Sequence, residues 1–243
     1  MLTSPLLTPY SALLFHGFTE RKEGNLAFHV GDDPDAVHAR QEALAENSRY
    51  PLKLLVPMRQ IHSDIVCAVA DGMRYDAPPE CDALVTNLPE RPLMVMVADC
   101  TPLLLFDPKR RVIAAVHAGR AGAFANIVGN TLFRMGSEYG SDPADILAVL
   151  GPSIGPCCYE VGEAIRAEAR EKGFGFAMEL REGRHCLNVN AILLRQLEAA
   201  GVAAKHIEVN GRCTACEKER FFSYRAEGDG SGRFAGVIML KRV

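Results

Sequence analysis

The sequence has no tryptophan, no excess of basic residues and no long hydrophobic run. Its 27 Lys and Arg residues are outnumbered by 30 Asp and Glu residues, and the net charge is -3 at pH 7. Without a basic field, we expect no nucleic-acid partner. Without about 18 consecutive apolar residues, we expect no membrane-spanning helix. The first residues also lack the features of a secretion signal, so we predict a cytoplasmic protein.

Cysteine is too scarce for a disulfide framework, with eight residues in a chain of 243. In a reducing compartment such thiols are buried residues, nucleophiles or metal ligands. A composition of 48% hydrophobic and 23% charged residues excludes a disordered chain. Because repeats, low-complexity tracts and linkers are also missing, we predict one domain over residues 1–243. The sequence carries no signal for an oligomeric state.

Short apolar runs alternate with helical patterns along the chain. Asp33 followed by Pro34 is a typical helix start. Helices are predicted at residues 34–46, 122–138, 161–172 and 190–200, and strands at residues 65–70, 93–97, 103–106, 112–116, 146–150, 207–209 and 236–240. Because short turns join several neighbouring strands, the pattern favours an α+β fold with a mixed sheet.

Three residues with metal-binding side chains stand at the edges of predicted strands: His62, Cys100 and His117. Two imidazoles and one thiolate suit zinc and, less well, copper. Three ligands from separate elements are typical of a catalytic ion with one position open to water, and zinc lowers the pKa of such a water from about 15.7 toward about 7. The alternative is two ordinary hydrogen-bonding histidines and a buried cysteine.

Glycine and arginine residues suggest an anion site. Gly119 and Gly122 lie at a predicted strand–helix turn, where free N–H groups bind anions, although close packing explains them equally well. Arg225 and Arg233 flank a glycine-rich stretch and are suited to a phosphate or carboxylate. A hairpin turn accounts for that stretch at least as well.

The sequence contains one CxxC pair, Cys213 and Cys216. A single pair is weak support for a zinc site. The adjacent residues Cys157 and Cys158 would complete a four-thiolate site if the fold brought the two pairs together. Buried or incidental thiols are the alternative.

Seven short motifs occur in a characteristic order. They are Gln60-Ile-His-Ser, Asp82-Ala-Leu-Val-Thr, Ala98-Asp-Cys-Thr-Pro, Val116-His-Ala-Gly, Gly151-Pro-Ser-Ile, Cys213-Thr and Phe222-Ser-Tyr-Arg. In this order they resemble the YfiH-like family, whose members carry names such as laccase-domain protein, polyphenol oxidase and purine nucleoside phosphorylase. The resemblance extends from Phe18 to Gly236.

The resemblance implies a mixed β-sheet sandwich flanked by helices, related to the catalytic domain of cytotoxic necrotizing factor. It implies zinc bound by His62, Cys100 and His117, which are then also the catalytic residues. The implied substrates are purine nucleosides and phosphate. The implied reactions are phosphorolysis of adenosine, inosine, guanosine and methylthioadenosine, and deamination of adenosine.

Arginines are the predicted binders of the phosphate, because their charge-assisted hydrogen bonds suit it. Arg21 matches an arginine of the family pattern, and Arg225 and Arg120 are the other candidates. The family usually reads His-Ala-Gly-Trp-Arg-Gly, whereas this chain has Arg120 and Ala121 in place of Trp-Arg. Either Arg120 supplies the charge from one residue earlier, or the cavity takes a different substrate.

Asp64 and Asp99 neighbour the predicted ligands and are candidates for proton transfer or for orienting a ligand, if they are not ordinary turn or solvated carboxylates.

Three other functions stay open at this point. The first is a cell-wall editing amidase acting on muramyl-amino-acid precursors, as some family members are described. The second is a copper polyphenol oxidase, although multicopper sites need about ten histidines and the sequence has 7. The third is a non-enzymatic adaptor that is stabilised by a structural zinc.

Overall fold

Two central strands consist almost entirely of apolar residues, and both of their faces are covered. Every residue of Thr101–Asp107 and of Val112–Ala118 is buried. Strands of this kind occur where a sheet has layers on both sides. The computed structural model describes residues 1–242, so Val243 of the predicted domain lies outside the described residues.

The strands and helices follow in the order of the chain. The strands are β1 (Leu14–Phe18), β2 (Val66–Ala68), β3 (Ala83–Thr86), β4 (Leu93–Val97), β5 (Thr101–Asp107), β6 (Val112–Ala118), β7 (Leu147–Leu150), β8 (Met178–Arg181), β9 (Arg184–Leu187), β10 (Ile207–Val209) and β11 (Phe234–Leu240). The helices are α1 (Pro34–Asn47), α2 (Arg120–Phe124), α3 (Ile127–Tyr139), α4 (Glu163–Glu171), α5 (Val189–Ala199) and α6 (Tyr224–Glu227). Within residues 1–242, none of the helices is both long and apolar enough to traverse a bilayer.

The strands form a larger and a smaller sheet. The larger has six strands in the order β10-β7-β5-β6-β3-β2, antiparallel at its centre and parallel at both edges. The smaller is antiparallel, in the order β1-β11-β4, and β8 and β9 make a separate hairpin. The predicted mixed sheet is confirmed.

Alternate residues of β5 point into two different cores. Leu103 and Leu105 pack against residues of α3 and α5, whereas Leu104 and Phe106 pack against the smaller sheet. A third core lies between α1 and the outer face of the smaller sheet. Each fully buried leucine contributes about 1.5–3 kcal/mol of stability. The result is the predicted β-sandwich with helices on both outer faces.

The predicted helix over residues 122–138 is wrong, because the structure has two helices there. Asn126 separates them with a left-handed backbone (φ 64), and its side chain accepts a hydrogen bond from the Gly129 N–H at 3.3 Å. Asparagine is one of the few residues that tolerate this conformation and also cap helix starts. The apolar periodicity continues across the break, which is why the pattern indicates one helix.

Candidate metal centre and adjoining cavity

The fold brings the three predicted metal ligands together. Their candidate donor atoms all lie within 4.8 Å of one another. Cys100 immediately precedes β5 and His117 lies on β6, and the register that pairs Pro102 with His117 makes them neighbours. The third ligand, His62, lies in the loop before β2 rather than at a strand edge. Its ring centroid is 4.8 Å from that of His117.

A buried carboxylate, Asp82, holds the loop that carries His62. Its Oδ1 accepts a hydrogen bond from the His62 N–H at 3.0 Å, and its Oδ2 accepts from the Ser63 N–H and Oγ at 2.6 and 2.7 Å. His62 adopts a left-handed backbone with φ 59. Such a conformation is costly for a non-glycine residue and persists where the surroundings fix it. The contacts to Asp82 provide that restraint.

Asp82 also orients His117. Its Oδ1 lies 2.8 Å from His117 Nδ1, and both side chains are buried. Burial by itself raises the pKa of Asp82, but the hydrogen bonds from His117 and Ser63 lower that pKa to about 2. A carboxylate on one ring nitrogen fixes the tautomer and directs the other nitrogen, Nε2, to a metal. Sequence reasoning assigned Asp82 no role.

The electrostatics of the cluster favour a thiolate at Cys100. Burial raises the pKa of its thiol, but the imidazoles of His117 and His62 have the opposite effect and leave the pKa below its ordinary value. Burial lowers the pKa of His117, but the Cys100 sulfur and the Asp82 carboxylate leave it above the ordinary value. A thiolate beside two imidazoles therefore fits a metal ion that prefers sulfur and nitrogen ligands.

Gly119 leaves the space that the Cys100 sulfur occupies. A Cβ atom at position 119 would lie 2.8 Å from Cys100 Sγ and 3.5 Å from His62 Cδ2. The backbone of Gly119 is extended (φ -79, ψ 177) and is accessible to any residue. The requirement for glycine here is therefore steric, which accounts for part of the His-Ala-Gly motif.

We expect the Gly119→Ala substitution to displace the Cys100 thiolate and to weaken metal binding about 10-fold or more, comparable to the loss of a group that orients a ligand. Competition with a chromophoric chelator measures the affinity. Gly162→Ala is the matched control, because Gly162 is also the N-cap of a helix with φ -77 and ψ 176, and its Cβ would meet no atom within 4 Å. Equal affinities in both variants would contradict this account of Gly119.

A cavity of about 770 Å³ adjoins the cluster, and all three candidate ligands line it. This volume lies in the range of small-molecule sites. The cavity combines arginines with an apolar and aromatic part: Arg59, Arg120, Arg225, Arg233, Met58, Met96, Val97, Ile154, Tyr159, Val189 and Tyr224. The arrangement suits an anion bound beside a flat or apolar group.

Three of the lining arginines are held in place by contacts of Nη1. Arg120 Nη1 lies 2.8 Å from Glu168 Oε2, and Arg225 Nη1 donates to the carbonyl oxygens of Cys158 and Glu160 at 3.2 and 3.1 Å. Arg233 Nη1 donates to two carbonyl oxygens of its own loop. Guanidinium groups fixed in this way are prepared to bind an anion with little loss of entropy.

Arg21, the third predicted phosphate binder, lies outside the cavity lining. Its Nε donates to the Lys218 carbonyl oxygen at 2.7 Å, its Nη2 pairs with Glu227 Oε1 at 2.5 Å, and its guanidinium covers the Phe222 ring. Because Arg21 is not among the described residues that line the cavity, substrate binding by Arg21 stays a prediction.

The two aspartates beside the ligands differ in position. Asp99 lines the cavity with a left-handed backbone (φ 89), and its carboxylate accepts hydrogen bonds from Thr214 Oγ1, Ser223 Oγ and the Arg225 N–H at 2.6–2.7 Å. Asp64 instead accepts from Asn130 Nδ2 on α3 at 2.9 Å. Asp99 therefore positions the segment that carries Arg225, whereas Asp64 ties its loop to a helix.

Comparison with known proteins relates this geometry to a family. The family described as multi-copper polyphenol oxidoreductase laccase matches residues 16–241. A purine nucleoside phosphorylase of Corynebacterium glutamicum is 42% identical over 222 residues, which cover 90% of this chain and 87% of that protein. A purine nucleoside phosphorylase of Bacteroides thetaiotaomicron is 33% identical over 263 residues, which cover 100% of this chain and 97% of that protein.

Solved structures show the same fold. YlmD from Geobacillus stearothermophilus has a TM-score of 0.88 at 29% identity, over 98% of this chain and 94% of that one. The Bacillus licheniformis protein YfiH has a TM-score of 0.87 at 32% identity, over 94% and 93%. The resemblance seen in the motifs is thereby confirmed. With a family match over residues 16–241 and relatives that share its fold almost from end to end, the chain belongs to the YfiH-like, multi-copper polyphenol oxidoreductase laccase family.

Proposed function

We propose that this protein is a zinc-dependent purine nucleoside phosphorylase. It would convert adenosine, inosine, guanosine or methylthioadenosine and phosphate into the free base and the pentose 1-phosphate. One observation carries the proposal: a cavity of about 770 Å³ lined by four arginines has the His62, Cys100 and His117 cluster on its wall. The names of the relatives from Corynebacterium glutamicum and Bacteroides thetaiotaomicron support the same activity.

The charge of the cavity favours phosphate as the second substrate. Among the described residues that line it, Asp99 carries the one carboxylate, and that carboxylate is occupied by three hydrogen-bond donors. Arg120, Arg225 and Arg233 also line the cavity, and Arg120 is paired with Glu168, which lies outside the lining residues. Phosphate accepts charge-assisted hydrogen bonds from guanidinium groups in a bidentate manner.

The apolar part of the cavity suits the purine ring. Tyr159 lines it and lies under the guanidinium of Arg225, with 5.1 Å between the Arg225 Cζ atom and the ring centroid. Met58, Met96 and Val189 also belong to this part of the lining. In the proposed complex, the base contacts this surface and the sugar carbon C1′ points to the phosphate. A phosphate oxygen then forms a bond to C1′ as the bond from C1′ to the base nitrogen breaks.

The chain's own contribution to catalysis is positioning. His62, Cys100 and His117 would hold the zinc ion, which would supply a Lewis acid for a substrate oxygen. Asp82 keeps His117 Nδ1 occupied, so that Nε2 is presented to the cluster. Arg120 and Arg225 hold the attacking phosphate beside C1′ by charge-assisted hydrogen bonds.

The assay that tests the proposal uses zinc-loaded protein, a purine nucleoside and phosphate. We expect free base and pentose 1-phosphate in equal amounts, and we expect neither when phosphate is omitted. The names of the relatives refer to phosphorolysis. Release of ammonia from adenosine would instead indicate the deamination that the family resemblance implies. Turnover of a muramyl-amino-acid precursor or phosphate-independent oxidation of a phenol would contradict the proposal in favour of the amidase or the oxidase.

Substitution of Arg120 tests the phosphate subsite. We expect Arg120→Gln to raise the KM for phosphate about 10- to 100-fold, because a hydrogen bond to a charged group contributes about 1.5–3 kcal/mol, and to leave zinc content unchanged. Initial rates at varied phosphate concentration measure this. The control is Arg134→Gln on α3, since Arg134 pairs with Glu138 at 2.7 Å on the helix surface. An unchanged KM in the Arg120 variant would remove this residue from the subsite.

A further inference from the structure

Four cysteines outside the cluster at the cavity form a second sulfur cluster. Cys157 and Cys158 lie in the segment between β7 and α4, and Cys213 and Cys216 lie in the segment after β10. Their sulfur atoms all lie within 4.8 Å of one another. The two pairs are far apart in the sequence, so the fold itself brings them together. We refer to these four residues as the four-cysteine cluster.

The spacing of the sulfur atoms is that of metal ligands rather than of disulfides. Cys216 Sγ lies 3.5 Å from Cys157 Sγ and 3.4 Å from Cys158 Sγ. A disulfide bond requires about 2.05 Å. Four sulfurs placed tetrahedrally at about 2.3 Å from a zinc ion lie about 3.8 Å apart. One sulfur close to two others also argues against simple pairing, because a cysteine forms one disulfide only.

The backbone supports negative charge on one of the four sulfurs, that of Cys213. The Gly155 N–H donates a hydrogen bond to Cys213 Sγ at 3.2 Å. A Cβ atom at position 155 would lie 3.2 Å from Cys157 Sγ and 3.7 Å from Cys213 Sγ, so glycine allows the close approach. Hydrogen bonds from main-chain N–H groups are favourable to a sulfur that carries negative charge.

The four-cysteine cluster joins the segment after β7, whose Ile154 and Tyr159 line the cavity, to the segment that leads from β10 to α6, whose Tyr224 and Arg225 line it. Ser153 and Cys213 are paired in a parallel bridge, and the Thr214 N–H donates to the Ser153 carbonyl oxygen at 3.1 Å. The Cys158 carbonyl oxygen accepts from Arg225 Nη1, and the next residue, Tyr159, lines the cavity. A link between the four sulfurs would therefore restrain the backbone next to Tyr159 and the carbonyl oxygen that Arg225 contacts.

We propose that Cys157, Cys158, Cys213 and Cys216 form a second metal site, in which four thiolates bind a structural zinc ion that fastens these two segments to each other. All four ligands are sulfur, which suits zinc, and none of the positions is left for substrate. On binding, the four thiols release their protons to solvent and the ion takes their place. The site does not depend on the reaction in the cavity.

Metal content of matched variants tests the proposal. We expect two zinc ions per wild-type chain, one in Cys100→Ala and one in the double variant Cys213→Ser, Cys216→Ser. Cys67→Ser is the control, because Cys67 on β2 belongs to neither cluster, and we expect it to keep two. One zinc in the wild type and none in Cys100→Ala would overturn the proposal, even if the Cys213 and Cys216 variant failed to fold.

Two further measurements do not require that double variant to fold. In Cys100→Ala reconstituted with cobalt, we expect the intense absorption of a tetrahedral thiolate complex. In the wild-type protein, we expect mass spectrometry after alkylation to show all four cysteines protected by zinc and modified once a chelator removes it. A disulfide among them in freshly purified, zinc-loaded protein, or equal alkylation with and without zinc, would overturn the proposal.

Discussion

Replacing Cys100 with alanine is expected to lower kcat/KM for phosphorolysis about 10³-fold or more and to remove one zinc ion per chain. The substitution leaves the two imidazoles as protein ligands, and a metal acting as a Lewis acid contributes several kcal/mol to transition-state stabilisation. Cys100 lies within 4.8 Å of both imidazoles and lines the cavity. Rates at saturating phosphate together with elemental analysis measure the effect.

The matched control for this substitution is Cys67→Ala. Cys67 is a half-buried residue of β2 that lies outside both metal-binding groups. We expect this variant to keep both zinc and activity. If Cys100→Ala kept wild-type activity and zinc content, the cluster at the cavity would not be the catalytic centre, whatever the protein does with nucleosides.

The second large effect is expected for Asp82→Asn. The amide loses the negative charge beside His117, and its NH2 group donates at one of the two oxygen positions that accept from His62 and Ser63. Loss of such a ligand-orienting group weakens metal binding about 10- to 100-fold. Removal of one partner from a buried charged pair costs about 3–5 kcal/mol of stability. Chelator competition and urea unfolding of the metal-free protein measure the two effects.

The same carboxylate makes stability depend on pH in a defined direction. Its pKa is about 2 in the folded protein, below the value of about 3.9 for an unfolded chain. The stabilisation is therefore present at neutral pH and is lost as the pH falls from about 4 toward 2. We expect Asp82→Asn to show a flatter acid unfolding profile. Asp64→Asn is the control for both measurements. If Asp64→Asn lost as much metal affinity as Asp82→Asn, the assignment of Asp82 as the group that orients the metal ligands would be contradicted.

The strands that the sequence predicts well are those with apolar runs between clear turn residues. β4 and β10 begin and end where the pattern indicates. β1 was missed because His16 and Gly17 interrupt its apolar residues, and its pairing partner β11 lies more than 200 residues away. The hairpin of β8 and β9 is largely polar and half exposed. No local pattern distinguishes such strands from loops.

The candidate site was predicted in part. The residue types and the family resemblance identified His62, Cys100 and His117 as a set, and the structure places them together. The role of Asp82 was missed, because it depends on the register of β3 with β6, which no local pattern contains. A signal was nevertheless present: an aspartate next to an apolar strand is rarely buried unless it is paired.

The arginines show the other limit of sequence reasoning. Arg120 and Arg225 reach the cavity, and Arg233 joins them, whereas Arg21 is occupied by Glu227 and carbonyl oxygens outside it. Residue type indicates that an arginine suits phosphate but does not indicate where its side chain lies. The four-cysteine cluster is similar, since the sequence offers a four-thiolate site as one alternative, but the two pairs meet only because the loops after β7 and β10 come together.

The account depends most on zinc between His62, Cys100 and His117, and anomalous scattering from crystals of the zinc-loaded protein tests it directly. Data collected on both sides of the zinc edge identify the metal as zinc, and the position of each peak distinguishes this site from the four-cysteine cluster. The predicted result is a peak about 2.3 Å from Cys100 Sγ and about 2.0–2.1 Å from one nitrogen of each histidine, with a fourth position free of protein ligands. A crystal with no zinc peak among these three side chains, or with a fourth protein ligand closing the site, would contradict it.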